Sequence, residues 1–482
     1  MSTILAIDQG TTSSRAILFD GLRPIFKAQH EFPQIYPKSG WVEHDPFQIT
    51  ESQLLCIKEV LDLVGKANVD AIGITNQRET VVVWDRLTGL PVYNAIVWQC
   101  RRTADFCEEL KSTRYADIIK EKTGLPIDPY FSASKIRWIL ENVEGAREKA
   151  EKGRLLFGTV DSWLIWNLTS GEVHATDVTN ASRTQLFNIN TMEWDEELLT
   201  LFDIPHSMMP KVLSSADDYG VAKIFGREIP ICGVAGDQQS ALFGQSCFNT
   251  GDCKNTYGTG AFLLTNIGKK PIFDKNGLIT TVAWRLGEEV TYALEGSVFC
   301  AGSVIQWLRD SLGIISNSAE SEFLAKSVED NGGVYIVPAF TGLGAPYWDS
   351  EARGLICGLT RGSTKAHIAR AALESIAFQV NELVELCRDA GITIERLCVD
   401  GGAAENNFLL KFQSDISKVD IIRKRSVEAT ARGAAMFAEL GASGEISAQD
   451  DGDSIYFKPT MDQHERDELL SGWKNAVERT LS

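Results

Sequence analysis

Residues 8–15, Asp8-Gln9-Gly10-Thr11-Thr12-Ser13-Ser14-Arg15, set a carboxylate, several hydroxyls and a guanidinium around one glycine, between the apolar runs 4–7 and 16–19. Small residues in such a turn let backbone N–H groups and the Thr11 and Thr12 hydroxyls approach phosphate oxygens, and an Asp closing a strand can hold the water shell of a magnesium ion. Arg15 adds a charge that could meet a phosphate. Taken alone, the segment also fits an ordinary polar hairpin turn. Two further glycine-rich turns, Gly258-Thr259-Gly260 and Gly401-Gly402, strengthen the phosphate reading, because three such turns at strand ends exceed what sheet topology requires. Neither a GxxxxGK[ST] loop nor a protein-kinase glycine loop occurs, so a different phosphate-binding fold is needed.

A second group of chemically capable residues falls at other strand ends. Runs 71–74 and 81–84 flank Asn76-Gln77-Arg78-Glu79, and a Thr88-Gly89 turn leads to a third run ending at Trp98. Gly233-Val234-Ala235-Gly236 reads as a strand entering the helix 238–243, with Asp237 at the junction. In open sheets with helical crossovers, such ends are where ligands bind. Singly, each residue has a plainer reading. Arg78-Glu79 fits a solvated surface pair, Trp98 and Phe262 fit core aromatics, and Tyr130 in Asp128-Pro129-Tyr130 fits a loop aromatic.

The elements that must position these residues follow from periodicity. Asp45-Pro46 opens a helix in which Leu54, Leu55, Ile57, Val60, Leu61, Leu63 and Val64 recur at helical spacing, to lie on a sheet. A long amphipathic helix spans 364–387 and ends near Gly391. A strand at 397–399 runs into Asp400-Gly401-Gly402-Ala403, which opens another helix, and 464–482 reads as a helix. Both halves mix Gly/Thr hairpins with strand-to-helix turns, a duplicated architecture without a fixed-period repeat. The expected class is α/β in two similar lobes: 1–245, 254–442, and a helical extension at 443–482, with the polar stretch 246–253 as boundary.

Bulk properties narrow the partners. A chain of 482 residues exceeds the size at which one core keeps growing, so two domains are expected. The balance of 47 Lys+Arg against 65 Asp+Glu, a formal charge of -18, repels nucleic acid and anionic membranes. A small anion remains possible where N–H groups and a metal converge. The ten cysteines have neither CxxC nor zinc-finger spacing and the six histidines form no HxH or HExxH cluster, so reduced thiols and no caged transition metal are expected. The start, Met1 to Asp8, is a strand pattern and no signal peptide, and no apolar run approaches a membrane span, so no membrane insertion and a cytoplasmic location are expected.

Residues 8–15, Asn76-Gln77-Arg78-Glu79-Thr80, Gly236-Asp237-Gln238-Gln239, Tyr257-Gly258-Thr259-Gly260 and Asp400-Gly401-Gly402-Ala403 closely resemble the FGGY carbohydrate kinases, and within them the members that act on glycerol. Tyr130-Phe131-Ser132-Ala133-Ser134-Lys135 and the run 342–358 look like the two family signatures, and the resemblance runs from residue 2 to about residue 440. It implies two ribonuclease H-like lobes of the actin and sugar-kinase type, with ATP and substrate meeting in the cleft between them. Thr11, Thr12, Ser13, Arg15 and Thr259 would then serve the phosphates, and Gly302, Gln306, Gly402 and Asn406 would line the nucleotide pocket. Arg78, Glu79, Trp98, Tyr130, Asp237, Gln238 and Phe262 would form the glycerol pocket, pairing its hydroxyls and covering its C–H face. Asp237 would be the general base and, with Asp8, would approach Mg2+ through water. The implied reaction is ATP-dependent phosphorylation of glycerol to sn-glycerol 3-phosphate by a homo-oligomer, a dimer or tetramer, whose lobes close about a hinge.

Two rivals are weighed against this. A sister kinase acting on a pentulose or gluconate would share the Asp8 loop but differ at Asn76–Glu79 and Trp98, and an actin-like or chaperone-like ATPase switch would have no use for a polyol pocket. Regulation departs from the family pattern: Gly226-Arg227-Glu228-Ile229-Pro230 has Glu228 where relatives inhibited by fructose 1,6-bisphosphate carry an arginine, and a carboxylate there would repel the phosphate. The phosphorylatable histidine loop of some relatives has no counterpart, since no His lies between His206 and His367.

Overall fold

Alternation along the first strand decides the layers. In Thr3–Gln9, Leu5 and Ile7 pack with the helix Pro46–Val64 and the helix Val160–Leu168, whereas Ile4 and Ala6 face the opposite way, toward Ala431, Ala434, Ala435 and Ala438. A computed structural model describes residues 2–65, 68–274, 276–349, 351–424, 428–447 and 454–481; Met1, Ser350 in the second signature run and Ser482 lie outside the described residues.

The first sheet has six strands, in the order Val221–Ile224, Arg227–Gly236, Ala71–Asn76, Thr3–Gln9, Ser13–Asp20, Arg23–Glu31. Its last three form an antiparallel meander, Ala71–Asn76 and Arg227–Gly236 continue in parallel, and Val221–Ile224 closes the edge antiparallel. The second sheet repeats this plan with one more strand. A meander of Ile279–Leu286, Glu289–Val298, Ala261–Gly268 and Cys253–Tyr257 is followed by parallel Arg396–Asp400 and Asp420–Arg423 and an antiparallel edge, Ile455–Phe457. The duplication expected from the Gly/Thr hairpins is therefore a duplication of sheet topology.

Between the sheets lie two helices, Asp237–Gly244 and Ala429–Ser443, packed on each other and on the strands Ala71–Asn76 and Arg227–Gly236. Leu242, Phe243, Met436 and Phe437 meet Leu264, Ala283, Ala293 and Cys398 of the second sheet. The helix 429–443, assigned by sequence to the second lobe, thus covers the first sheet. Its alanines allow close approach, and a Cβ built on Gly433 would lie 1.8 Å from the Ser240 carbonyl oxygen.

Other details differ from expectation. Helix Pro46–Val64 is capped by Asp45, whose carboxylate accepts from the Phe47 N–H, and buries Ile49, Ile57, Val60 and Leu61, but Leu55 and Leu63 face outward. Asp400 is followed by a short 3-10 turn, Gly402–Glu405, before the helix Asn407–Ser417 begins. The C-terminal segment is more than a helical extension. It supplies the edge strand Ile455–Phe457, and its helix Gln463–Glu478 buries Trp473, Ala476 and Val477 in the second lobe's core. All ten cysteines are free thiols, and among the described residues no helix is long and apolar enough to cross a membrane.

Candidate active site

The first glycine-rich turn connects two paired strands, with Asp8 opposite Arg15. The Gly10 N–H donates to the Ser13 carbonyl at 3.0 Å, leaving Thr12 exposed and Thr11 half-buried at the tip. Ser13 is buried and accepts from the Gln29 amide at 3.2 Å. Asp8 is buried; desolvation pushes its carboxyl up to about 6, against the pull of Arg15 at 3.4 Å and with a further push from Asp237. A buried carboxylate at a strand end with a second one electrostatically close is a hard-oxygen donor pair. Two hard-oxygen donors suit a magnesium ion that keeps most of its own water; no group of three or more His, Cys, Asp or Glu side chains is poised for a metal among the described residues.

Trp98 joins this turn to the next group: its indole N–H donates to the Thr11 hydroxyl at 3.0 Å. Its ring meets Tyr130 edge-on with centroids 5.5 Å apart. Tyr130 is held in turn by the first signature. The Lys135 ammonium, wholly buried, donates to the Tyr130 and Phe131 carbonyls at 2.7 Å, and burial pushes its pKa down to about 8. The Ser132 hydroxyl donates to the Glu79 carbonyl at 3.1 Å.

Arg78 and Glu79 are no surface pair; they are 3% and 1% exposed. Glu79 sits in the left-handed region at φ 61, inside a three-residue turn closed by the Thr80 N–H on the Arg78 carbonyl, a strained arrangement that ordinary turns avoid. Two residues the sequence did not reveal complete the cluster. Glu295, from the second lobe, accepts both Arg78 terminal nitrogens at 2.6 and 3.1 Å and the Arg183 Nη2 at 2.9 Å; Arg183 Nε donates to Glu79 at 2.6 Å. Burial pushes the Glu295 carboxyl up, but Arg183 and Arg78 together outweigh it and hold it down at about 2. Arg78 also donates to Gln239 at 3.2 Å, reaches the Tyr130 hydroxyl at 3.4 Å, and lies with Nε 3.3 Å from the Asp237 carboxylate. Gly236 permits this, since a Cβ there would meet the Arg78 stem at 2.8 Å.

Asp237 is the first residue of its helix, and its side chain keeps one third of its surface exposed at 33%. Gln238 follows it and faces the second sheet, whose register aligns Lys254 with Leu264 and Cys398, Thr256 with Phe262 and Asp400, and Leu264 with Glu295. Residues paired across strands share a face, so Lys254, Thr256, Phe262, Glu295 and Asp400 stand on one face of that sheet, the face from which Lys254 reaches Gln238 and Glu295 reaches Arg78. Lys254, wholly buried, donates to the Gln238 side-chain carbonyl and to Thr256, and Gln245 donates to Asp400 at 3.1 Å. Lys254 and Gln245 are two further residues that sequence reasoning missed; a Lys inside a strand carries no mark of burial.

The remaining candidates lie on turns and helix starts of the second lobe. Thr259 is exposed at the tip of its hairpin, while its carbonyl accepts from Ala301 and Ser303 N–H groups and Gly258 accepts from Gly302 at 2.9 Å. Gly302 opens the helix Gly302–Asp310, on which Gln306 is exposed. A Cβ on Gly402 would meet nothing within 4 Å, so open space adjoins the turn. Asn406 caps the helix Asn407–Ser417 through the Leu409 N–H and reaches Ser321, so its side chain is already engaged. The second signature run is anchored from behind: Tyr347 and Trp473 both donate to Glu382.

Two lobes that repeat one sheet plan, each with a glycine-rich hairpin, define a class. The FGGY family of carbohydrate kinases matches this chain through its N-terminal domain at residues 3–244 and its C-terminal domain at 253–442, and the chain belongs to that family. The fold is the two-lobed, ribonuclease H-like sugar-kinase type. In particular, the chain is similar to glycerol kinase 2 of Thermotoga maritima, 58% identical with 100% of this chain and 99% of that protein covered. The structure of Plasmodium falciparum glycerol kinase with ADP superposes with a TM-score of 0.94 at 39% identity, covering 100% of this chain and 99% of that one. A ligand-bound xylulose kinase from Lactobacillus acidophilus superposes at 0.87 with 22% identity over 99% and 98% of the two chains, which shows the shared fold alone.

Proposed function

We propose that this chain transfers the γ-phosphoryl group of ATP to a terminal hydroxyl of glycerol, giving sn-glycerol 3-phosphate. The observation that carries the reading is the continuity of the two ends: Asp237 lies beside Arg78, Arg78 reaches Tyr130, Tyr130 packs on Trp98, and Trp98 is hydrogen-bonded to Thr11 of the phosphate turn. A small alcohol between Asp237 and Trp98 therefore lies next to the phosphate turn.

In this reading Asp237 accepts the proton of the hydroxyl as its oxygen attacks in line. Arg78, Glu79, Gln238 and Tyr130 pair the hydroxyls, and Trp98 and Phe262 cover the carbon face. Thr11, Thr12, Ser13, Arg15 and Thr259 serve the phosphates, and Gly302, Gln306, Gly402 and Asn406 the nucleoside. Asp8 and Asp237 would hold Mg2+ through water, and the ion supplies charge neutralisation to the transferring phosphoryl oxygens. A cytoplasmic enzyme assembled as a dimer or tetramer goes with the reading; analytical ultracentrifugation checks the assembly.

Charge balance favours a neutral polyol over gluconate. The three cations Arg78, Arg183 and Lys254 stand among the carboxylates of Glu79, Glu295 and Asp237, so they leave no unmatched positive charge for an anionic substrate. The test is ADP release with magnesium and ATP, comparing no acceptor, glycerol, dihydroxyacetone, xylulose and gluconate. Strong stimulation by glycerol with glycerol 3-phosphate as product is expected. Stimulation by a ketose or gluconate alone would move the assignment to a sister kinase, and hydrolysis indifferent to every acceptor would make the chain an ATPase switch.

A further inference from the structure

We propose that two side chains of the second lobe, Glu295 and Lys254, are positioning residues of the polyol pocket: they aim Arg78 and Gln238, which belong to the first lobe, and so decide which hydrogen-bond donors meet a substrate's hydroxyls. The inference rests on the reading of Arg78 and Gln238 as polyol-binding groups.

The donor inventory of Arg78 carries the first half. A guanidinium has five N–H groups in a rigid fork. Glu295 takes one from each terminal nitrogen, and Gln239 takes the second from Nη1 at 3.2 Å. On the remaining edge the outer hydrogen of Nη2 makes a long bond to the Tyr130 hydroxyl at 3.4 Å, and Nε, with no hydrogen-bond acceptor of its own among the described residues, lies 3.3 Å from the Asp237 carboxylate and 3.7 Å from that of Glu79. Glu295 grips the back of the fork, and the Nε side of its front is the donor that an alcohol oxygen beside the Asp237 carboxylate would meet.

Gln238 supplies the second half. The Lys254 ammonium has only donors, so the amide atom facing it must be the carbonyl oxygen. The amide NH2 is then the end left to face outward, and the position acts as a donor. Without Lys254 the amide could turn over and present an acceptor. Both Glu295 and Lys254 are wholly buried, a costly place for a charge unless it is paired, and both stand on the same face of the second sheet.

A pocket whose donors are fixed in this way penalises a diol that lacks one hydroxyl, because a buried donor is left unpaired. The wild-type chain should therefore prefer glycerol to 1,3-propanediol in kcat/KM by roughly 10²-fold or more. In Lys254→Met and Glu295→Gln the glycerol KM should rise roughly tenfold or more, the ATP KM should stay within about twofold, and the glycerol preference should shrink roughly tenfold. Lys254→Met should add little to Gln238→Ala in the double variant, as expected for residues acting through one group. Cooperative melting of each variant separates aiming from folding. Where a variant does not fold, Lys254→Arg or Glu295→Asp, which keep the charge but move the head group, should show the same loss of preference. Folded second-lobe variants with an unchanged preference overturn the inference, while Arg78→Ala and Gln238→Ala still raise the glycerol KM. If those two first-lobe variants leave the glycerol KM unchanged, the pocket reading itself fails and the inference falls with it.

Discussion

Burial pushes the Asp8 carboxyl up to about 6 in the free protein, so protonation removes the charge that would hold a hydrated magnesium ion. The magnesium concentration for half-maximal activity should rise as pH falls through about 6, and Asp8→Asn should flatten that dependence; a magnesium titration from pH 5 to 8 reads it. The same shift has a stability sign. Because the folded value lies above the ordinary 3.8, the Asp8 contribution is complete below about 3.8 and lost as pH rises through about 6, so Asp8→Asn should narrow the difference in melting temperature of ligand-free protein between pH 5 and 7. Asp237→Asn keeps the size and most hydrogen bonding of the base but cannot take its proton, and turnover should fall about 10²- to 10⁴-fold in single-turnover assays. Arg78→Ala should raise the glycerol KM roughly tenfold or more and also lower stability by about 3–5 kcal/mol, since Glu295 would stay buried with half its partners gone. Urea unfolding separates the two effects. The glycines, hydroxyls and carboxylates of the site were legible in the sequence because their types suit phosphate and polyol chemistry at strand ends. Glu295, Arg183 and Lys254 were not, because their meaning lies in partners more than a hundred residues away for Glu295 and Arg183, and in a sheet face for Lys254.

Strands and their hairpins were readable as short apolar runs bounded by turn residues, and the amphipathic helices from their period, down to the Asp45 cap. The helix Ala429–Ser443 shows where such reading stops. Alanine buries little area and fits either sheet, so nothing in its pattern says that it crosses to the first sheet and packs on the helix Asp237–Gly244. Leu55 and Leu63 mislead in the opposite sense, since an exposed leucine costs little and a helix tolerates several. Gly433 gives the crossing a test. On propensity alone, Gly433→Ala should stabilise a helix by about 0.5–1 kcal/mol. The contact of its would-be Cβ with the Ser240 carbonyl is to backbone and cannot rotate away, so overpacking of about 1–3 kcal/mol should win. The expected outcome is a lower urea midpoint with an unchanged slope.

The lobes meet at two levels: an apolar layer around Phe243 and Phe437, and above it the ionic cluster of Arg78, Glu79, Arg183 and Glu295. Closure over ligands, with these contacts as the pivot, should draw the glycine-rich hairpins of the two lobes together. Small-angle scattering should show a smaller radius of gyration with glycerol and a non-hydrolysable ATP analogue together than with either alone, and ATP hydrolysis without polyol should be slow. The route of the chain has one more consequence. Cut within 246–253, the first fragment would carry a sheet whose Ile4, Ala6, Ile17, Phe19 and Ala71 had lost their cover, while the second would carry the amphipathic cover with nothing beneath it. Neither piece is a self-sufficient module, yet each holds what the other lacks. Expressed separately they should be insoluble, and expressed together they should find one another and restore activity, which makes this kinase a natural scaffold for a split-protein reporter.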